Sequence, residues 1–433
     1  MTPEIEKRIK AVRAGRVPAG YRKSKVGIVP KEWEELKLSH YLTVSKEKNK
    51  DLQFSKDDVF SISGELGIVN QIELLGRSYA GESVAPYGIV KPNDIVYTKS
   101  PLKANPYGII KTNKTGKAGI VSTLYAIFNC KNNVNPNFVQ YYFESDKNLN
   151  DYLHPIVNIG AKHDMKISDE NSLSGVVVFP PLSEQKKIAE ILATQDRVIE
   201  LKEKLIAEKQ SQKKYLMSVL LGDDFKKPFK LNGVIIDKKK WEKKKIGDVC
   251  DNYMGLTYAP ENVSSKGVLV LRSSNIQNGK LCFDDNVYVD MEIPIRSKVK
   301  IGDILVCVRN GSRSLIGKSA IITKEAECAA FGAFMTVLRS KNVNQLFLFY
   351  IWQSNNIQKQ IKVLMGALIN QITSFDIQHL HFSCPTLSEQ TAIADVLSAA
   401  DEEISLLQKG LEQEKLKKKS LMQLLLTGLV RVA

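Results

Sequence analysis

At 433 residues, 43% hydrophobic and 25% charged, the chain can close two or three domains, each around a sizeable core. Its formal net charge of +15 favours an anionic partner such as nucleic acid. Six cysteines stand scattered at 130, 250, 282, 307, 328 and 384 with no C-x-x-C pair, which argues against zinc and a disulfide scaffold and fits a reducing cytoplasm. No apolar run approaches the roughly 18 residues of a membrane span. The opening MTPEIEKRIKAVRAG mixes acids with bases and lacks an apolar centre, so it reads as a short amphipathic helix ending at Gly15, not a signal peptide.

In chain order, residues 1–25 are that helix and a basic, turn-rich approach, and 26–180 form a first globular domain. Its short apolar runs, GIVN, GIVKPNDIVYT, GIIKT and AGIVSTLYAIFNC, are separated by Gly, Asn and Pro, a strand-and-turn pattern. A helical patch, NPNFVQYYFESDKNLNDYL, follows. Residues 181–222 are a long helix, and 223–385 a second domain with strand patterns GVLVLRSS, KLCF, VKIGDILVCVRN, GKSAIITK and AFMTVLRS, then the helical NVNQLFLFYIWQSNNIQKQI. Residues 386–428 are a second long helix, and 429–433 a tail.

The two long helices are copies. Residues 182–221 and 387–426 align at a constant shift of 205, with 17 of 40 positions identical, among them Gln185/Gln390, Ile188/Ile393 and Asp196/Asp401. Pro181 and Pro385 fall just before them, so Ser183 and Ser388 are expected as N-caps. With Lys186 or Thr391 three residues further on, no capping box is expected. Apolar residues recur at helical spacing: Ile188, Leu192, Ile199, Ile206, Leu216 and Leu220 in the first, Ile393, Leu397, Ile404 and Leu411 in the second. Gln195, Lys202, Lys209 and Lys213 interrupt the stripe. A 40-residue helix runs about 60 Å, too far to be buried in one domain, so the copies are expected to pair with each other. A dimerisation coil is the plainer alternative. Two weaker echoes, Trp33 against Trp241 and Asn93-Asp94 against Gly302-Asp303, extend the duplication over each half. Between the echoes the globular sequences are unlike.

Motifs for chemistry are missing. There is no GxxxxGK[ST] loop, no HExxH and no GxSxG, and the histidines at 40, 154, 163, 379 and 381 have no nucleophile at motif spacing. His379 and His381 alternate as on a strand, and Asn105-Pro106-Tyr107 reads as a turn. Candidate DNA contacts are easier to name. In the first domain they are Lys99, Lys103, Asn105, Tyr107 and Lys111, continued by Lys114 and Lys117, with a second loop at Lys162 and His163. In the second they are Arg272 and Asn275 after one strand, and Arg309, Asn310, Ser312, Arg313 and Lys318 between two others. Lysines suit phosphates, arginine pairs bidentately with guanine, and asparagine with adenine.

Two dissimilar domains, each followed by a helix opening Pro180-Pro181-Leu182-Ser183-Glu184-Gln185 or Pro385-Thr386-Leu387-Ser388-Glu389-Gln390, resemble the DNA-specificity subunit of type I restriction-modification enzymes. The likeness covers essentially the whole chain. It implies an α+β fold: two mainly-β target recognition domains with small helices, separated by two long helices paired as an antiparallel coiled coil, with a pseudo-two-fold internal repeat. It further implies that each domain reads one half of a bipartite DNA site. Two methyltransferase subunits using S-adenosylmethionine, and up to two motor-nuclease subunits using ATP and magnesium, would assemble on this non-catalytic chain in a prokaryotic cytoplasm. Three alternatives remain: a related system lacking the motor subunit, an enzyme with an unfamiliar site, and a coiled-coil protein binding DNA without sequence preference.

Overall fold

The computed structural model describes residues 2–102, 105–159, 165–222, 227–365 and 370–432. They form two compact units, Met1–Lys202 with Gly410–Ala433, and Glu203–Lys409. The units do not part at helix ends: each takes one globular body and a stretch of both long helices. Among the described residues no helix is long and apolar enough to cross a membrane.

In the first unit a four-stranded antiparallel sheet runs in the order Leu42–Val44, Tyr125–Cys130, Ile95–Thr98, Ile109–Thr112. All four residues of Ile95–Thr98 are buried, because both faces of that strand are covered. The turn leading into it is fixed by Asn93 at φ +70° and by the Asp94 carboxylate, which accepts from the Lys91 amide at 2.7 Å and Asn129 Nδ2 at 2.8 Å. Helix Pro136–Glu144 has Pro at N1 and the Asn135 side chain capping the Phe138 amide. It buries Phe138 and Val139 in the same core as Trp33, Phe179, Ile188, Leu192, Leu425 and Leu426. Residues from the start of one long helix and the end of the other therefore share one core, and the two stretches run antiparallel.

The second unit repeats the plan with other residues. Its sheet runs Cys250–Met254, Met335–Ser340, Ile304–Cys307, Ser319–Ile321. Gly302 at φ +90° stands where Asn93 stood, and Asp303 accepts from the Lys300 amide at 2.8 Å and from Arg339 at 2.6 and 2.7 Å. Asn344 caps helix Gln345–Gln353. Leu220 and Leu221 pack with Ile393, Ala394 and Leu397.

The long helices span Leu182–Leu221 and Leu387–Leu426. Ile188, Leu192, Ile206, Leu220, Ile393, Leu397, Ile404 and Leu411 are buried, Ile199 and Leu216 half-buried. The polar residues interrupting the stripe make the cross-helix pairs. Within the first unit Gln195 Nε2 donates to Glu414 at 2.9 Å and Lys202 pairs with it at 3.2 Å. Within the second, Lys209 meets Glu403 and Lys213 meets Asp401, each at 2.6 Å.

Three local readings need correcting. The helices begin at Leu182 and Leu387, so Ser183 and Ser388 lie inside the first turn. The second helix does have a capping box, one residue pair earlier than sought: Glu389 Oε2 accepts from the Thr386 amide at 2.9 Å, and Thr386 Oγ1 from the Glu389 amide at 3.5 Å. Pro181, lacking an N–H and a hydroxyl, offers no such box. His379 ends helix Ser374–His379 and His381 opens strand His381–Cys384, because the Thr373/Asp376 capping box starts a helix there.

The shared LSEQ motif now has a physical meaning. Gln185 Oε1 accepts from the Asn135 amide at 2.9 Å while its Nε2 donates to the Pro180 carbonyl; Gln390 does the same with Asn344, at 2.8 Å, and Pro385. Glu184 and Glu389 each accept from an indole, Trp33 and Trp241, at 3.1 Å. Asp196 accepts from the Tyr141 hydroxyl at 2.7 Å and pairs with Lys418 at 2.8 Å; Asp401 holds Tyr350 at 2.9 Å and Lys213 at 2.6 Å. Each body is thus bolted to its long helix at three places.

Candidate nucleic-acid interface

The basic segments singled out in the two halves occupy the same place in the fold. Each joins the third and fourth strands of its sheet, 95–98 to 109–112 and 304–307 to 319–321. Each ends on a glycine of positive φ, Gly108 (+89°) and Gly317 (+84°). At Gly108 a Cβ would lie 2.0 Å from the Thr98 carbonyl oxygen, so no other residue fits that turn.

In the second unit the structure brings segments 272–275 and 309–318 together. Asn310 Nδ2 donates to Ser273 Oγ at 3.0 Å, and its Oδ1 accepts from the Ser312 amide at 2.9 Å. Lys318 Nζ donates to the Ser273 carbonyl at 3.1 Å, and Asn370 Nδ2 to that of Gly311 at 3.1 Å. The loop is therefore braced from several sides. On it Arg309 is exposed, its guanidinium 5.1 Å above the ring of Phe334, itself 56% exposed. Arg313 and Ser312 are exposed beside it. Next to them lies a cleft of about 580 Å³, walled by Thr257, Tyr258, Arg272, Ser274 and Phe334. Arg272 pairs with Asp285 at 2.9 Å, but its Nε and the Ser274 hydroxyl are buried with no partner among the described residues. Buried polar atoms without a hydrogen-bond partner are rare. Asn275 does not belong to this surface: it is wholly buried, its amide bridging the Arg272 amide and the Cys282 carbonyl.

The first unit assembles less. Lys99 is tied to Asp169 at 2.6 Å. Asn105 is 8% exposed and spent internally on Asp146 and Asn150, at 3.1 and 3.3 Å. Lys111 is 7% exposed on strand Ile109–Thr112; burial pulls its pKa down, against the pull of Glu144. Both side chains are therefore buried within the unit. Tyr107 is half-buried, edge-on to His154 at 5.4 Å. Lys114 lies 4.5 Å from the Tyr141 ring, and Lys117 is exposed. Lys103, Lys162 and His163 lie outside the described residues.

Residues 238–416 match the family model described as type I restriction modification DNA specificity domain. The chain is 27% identical to the type I restriction enzyme MjaVIII specificity subunit of Methanocaldococcus jannaschii, over 93% of this chain and 94% of that one. It is 32% identical to the EcoKI specificity subunit of Escherichia coli over 164 residues, 36% of this chain and 35% of the relative. Over these stretches the chain is similar to type I restriction-modification DNA-specificity subunits. Solved structures agree on the fold. The S subunit from M. genitalium aligns over 91% of this chain and 96% of its own at TM-score 0.54 and 13% identity. A chain from a study of type I R-M complex assembly aligns over 93% and 99% at TM-score 0.57 and 13% identity.

The hydrogen bonds to Ser273 and Asn370 brace the loop of the second unit, and Arg309 and Arg313 are exposed on it. Sequence reading missed Phe334, Thr257 and Tyr258, which line the same cleft. The only signal was AAFGAF at 329–334, where the second Phe follows a turn and cannot be told from a core residue by pattern. Among the described residues no group of three His, Cys, Asp or Glu side chains is placed to hold a metal ion.

Proposed function

We propose that this chain reads a split, asymmetric DNA site, one half per globular body, and performs no chemistry itself. The observation that carries the reading is that two bodies with one strand order place a basic loop in the same hairpin, yet fill it with different residues. A shared scaffold with unlike tips fits two readers of unlike sequences. Arg309, Arg313 and Ser312, with Phe334 and the adjoining cleft, would read the second half-site. Lys99, Tyr107 and Lys117, with Lys103, Lys162 and His163, would serve the first. Methyltransferase subunits that bring S-adenosylmethionine, and motor-nuclease subunits that bring ATP and magnesium, would assemble on the chain as they do in the family. Two of the former and up to two of the latter are expected, in the cytoplasm of a prokaryote.

The test is a domain exchange. Replacing residues 242–380 with the matching piece of a relative, then sequencing the methylated sites of a host carrying the assembled system, should change one half-site and spare the other. A change in both half-sites together would refute modular reading.

A further inference from the structure

The second unit carries a basic surface that the reading loop does not explain. Strands Glu242–Lys245 and His381–Cys384 pair antiparallel, Lys243 opposite Ser383 and Lys245 opposite His381. Opposed residues share a face. Phe382 and Cys384 are buried, so their neighbours Lys243, Lys245 and His381 stand on the outer face, all exposed. Beside this ribbon runs helix Asn355–Leu364, joined to it by Gln360, which donates to the His381 carbonyl at 2.7 Å and accepts from the His381 amide at 3.0 Å. Between ribbon and helix lies a groove of about 630 Å³, walled by Lys243, Lys245, Asn356, Gln360 and His381. Asp248 also lines it, its carboxylate accepting from the Lys245 amide at 2.8 Å. Lys359 and Lys362 are exposed on the helix. Among the described residues Lys243, Lys245, Lys359 and Lys362 make no ion pair; the nearest is Lys244 with Glu242 at 3.4 Å.

The helix leads from this groove to the reading loop, since Arg313 Nη2 reaches the Lys362 carbonyl at 3.5 Å. From Asn356 to Lys362 it rises about 9 Å, the axial span of two to three phosphates at about 3.4 Å each. Among the described residues the first unit has no such row of lysines on this ribbon and helix, where Lys147 is paired with Asp151. At the equivalent position Glu35 opposes Val178 and Lys37 opposes Val176, Glu35 is tied to Arg22 at 3.0 Å, and helix Asp146–Leu153 carries Asp146 and Asp151.

We propose that Lys243, Lys245 and Lys359 form a phosphate track that holds the backbone of duplex DNA beside the bases read by the 309–313 loop, and that only the second unit has one. The inference rests on the DNA-reading function. The groups this surface leaves without a partner are ammonium groups, which suit phosphate oxygens and read no sequence, whereas Gln360 is spent on the His381 backbone and on Asn356. One of the two recognition bodies then supplies a larger share of the non-specific grip.

The test uses the full chain and a duplex it selects from a random pool. The triple variant Lys243→Gln/Lys245→Gln/Lys359→Gln should make the slope of log affinity against log salt shallower by about 2 to 3, at about 0.9 per phosphate contact, with the selected sequence unchanged. Lys243→Arg/Lys245→Arg/Lys359→Arg should keep the original slope, which separates charge from folding. An unchanged slope in the Gln variant, while Arg309→Ala still weakens binding, overturns the track and leaves the reading function standing. If neither variant weakens binding, the reading function falls, and the track with it. If the Gln variant keeps its slope but no longer copurifies with the methyltransferase subunit, the groove serves an acidic protein surface and the proposal is refuted.

Discussion

Asp401 is the sharpest place to test how a recognition body is fastened to its helix. Its carboxylate accepts from the Tyr350 hydroxyl at 2.9 Å and from Lys213 Nζ at 2.6 and 2.7 Å. Tyr350 is 2% exposed, and the side chains of Lys213 and Asp401 are 16% and 31% exposed. Asp401→Ala leaves a buried hydroxyl and a mostly buried ammonium without their acceptor. Each bond to a charged group contributes about 1.5–3 kcal/mol at full burial. With solvent screening at a third-exposed carboxylate, the two together come to about 2–3 kcal/mol. For a unit of this size that is a fall in Tm of roughly 4–10 °C. Tyr350→Phe removes one neutral donor and should cost about 1 kcal/mol. Lys213→Met leaves Asp401 still bonded to Tyr350, and combining it with Asp401→Ala should recover about 1 kcal/mol, because the orphaned ammonium is gone. Scanning calorimetry on the four proteins reads all of this, and the transition that moves should be that of the second unit. Strict additivity of the two changes, or a shift under 1 °C for Asp401→Ala, would show that the aspartate does not clamp the body.

Arg309→Ala or Arg313→Ala should weaken binding by about 1–3 kcal/mol and relax one base position if the guanidinium pairs with guanine, as competition with single-base variants of the site would show. Phe334→Ala, which removes the support under Arg309, should act in the same direction but more weakly; equal affinity in a gel-shift titration would dismiss it. Burial by itself would raise the Glu389 carboxyl pKa, but the Thr386 and Asp237 amides and the Trp241 indole outweigh it and hold it below its ordinary value of 4.5. Its stabilising contribution is therefore complete above that value and lost as pH falls through the lower, folded one. The Tm gap between wild type and Glu389→Gln should close in that acid range; a gap independent of pH contradicts the assignment. Inserting seven residues after Lys202 and after Lys409 adds about 10.5 Å to both helices and nearly keeps their phase. The unread spacer of the methylated site should then grow by about three base pairs at about 3.4 Å each, and an unchanged spacer would mean that the helices do not set it. Four residues inserted after Lys209 alone would instead separate the Lys209–Glu403 and Lys213–Asp401 pairs and cost stability.

The architecture was legible in the sequence because it is written twice. A shift of 205 over 40 residues marks both helices to their ends, and the Asn93-Asp94 and Gly302-Asp303 echoes mark the same turn in both sheets. The common sheet was not legible between the echoes, since a buried strand requires only apolar residues and IVYT serves as well as ILVC. Partnerships across long separations were equally hidden. Gln195, Lys202, Lys209 and Lys213 look like defects in a stripe until Glu414, Glu403 and Asp401 lie opposite them. Segments 272–275 and 309–318 meet through Asn310, Lys318 and Ser273, and nothing local in the sequence shows it. The burial of Asn105, Lys111 and Asn275 was equally hidden, since a side chain occupied inside the fold and one on its surface have the same letter.

The first unit closes on residues made after the whole of the second. Leu425 and Leu426 complete the core that Ile188 and Leu192 begin, Tyr21 donates to the Gly428 carbonyl at 2.6 Å, and Arg431 pairs with Glu184 at 2.7 Å. A ribosome that has reached residue 409 has made every residue of the second unit and all but the closing piece of the first. The half synthesised earlier must therefore wait, its apolar helix face uncovered, while the half synthesised later already has all its parts. A nonsense codon between 410 and 425, ahead of the residues that close this core, should thus disable the first unit and spare the second, and nascent first units are the ones a chaperone would be called on to shield.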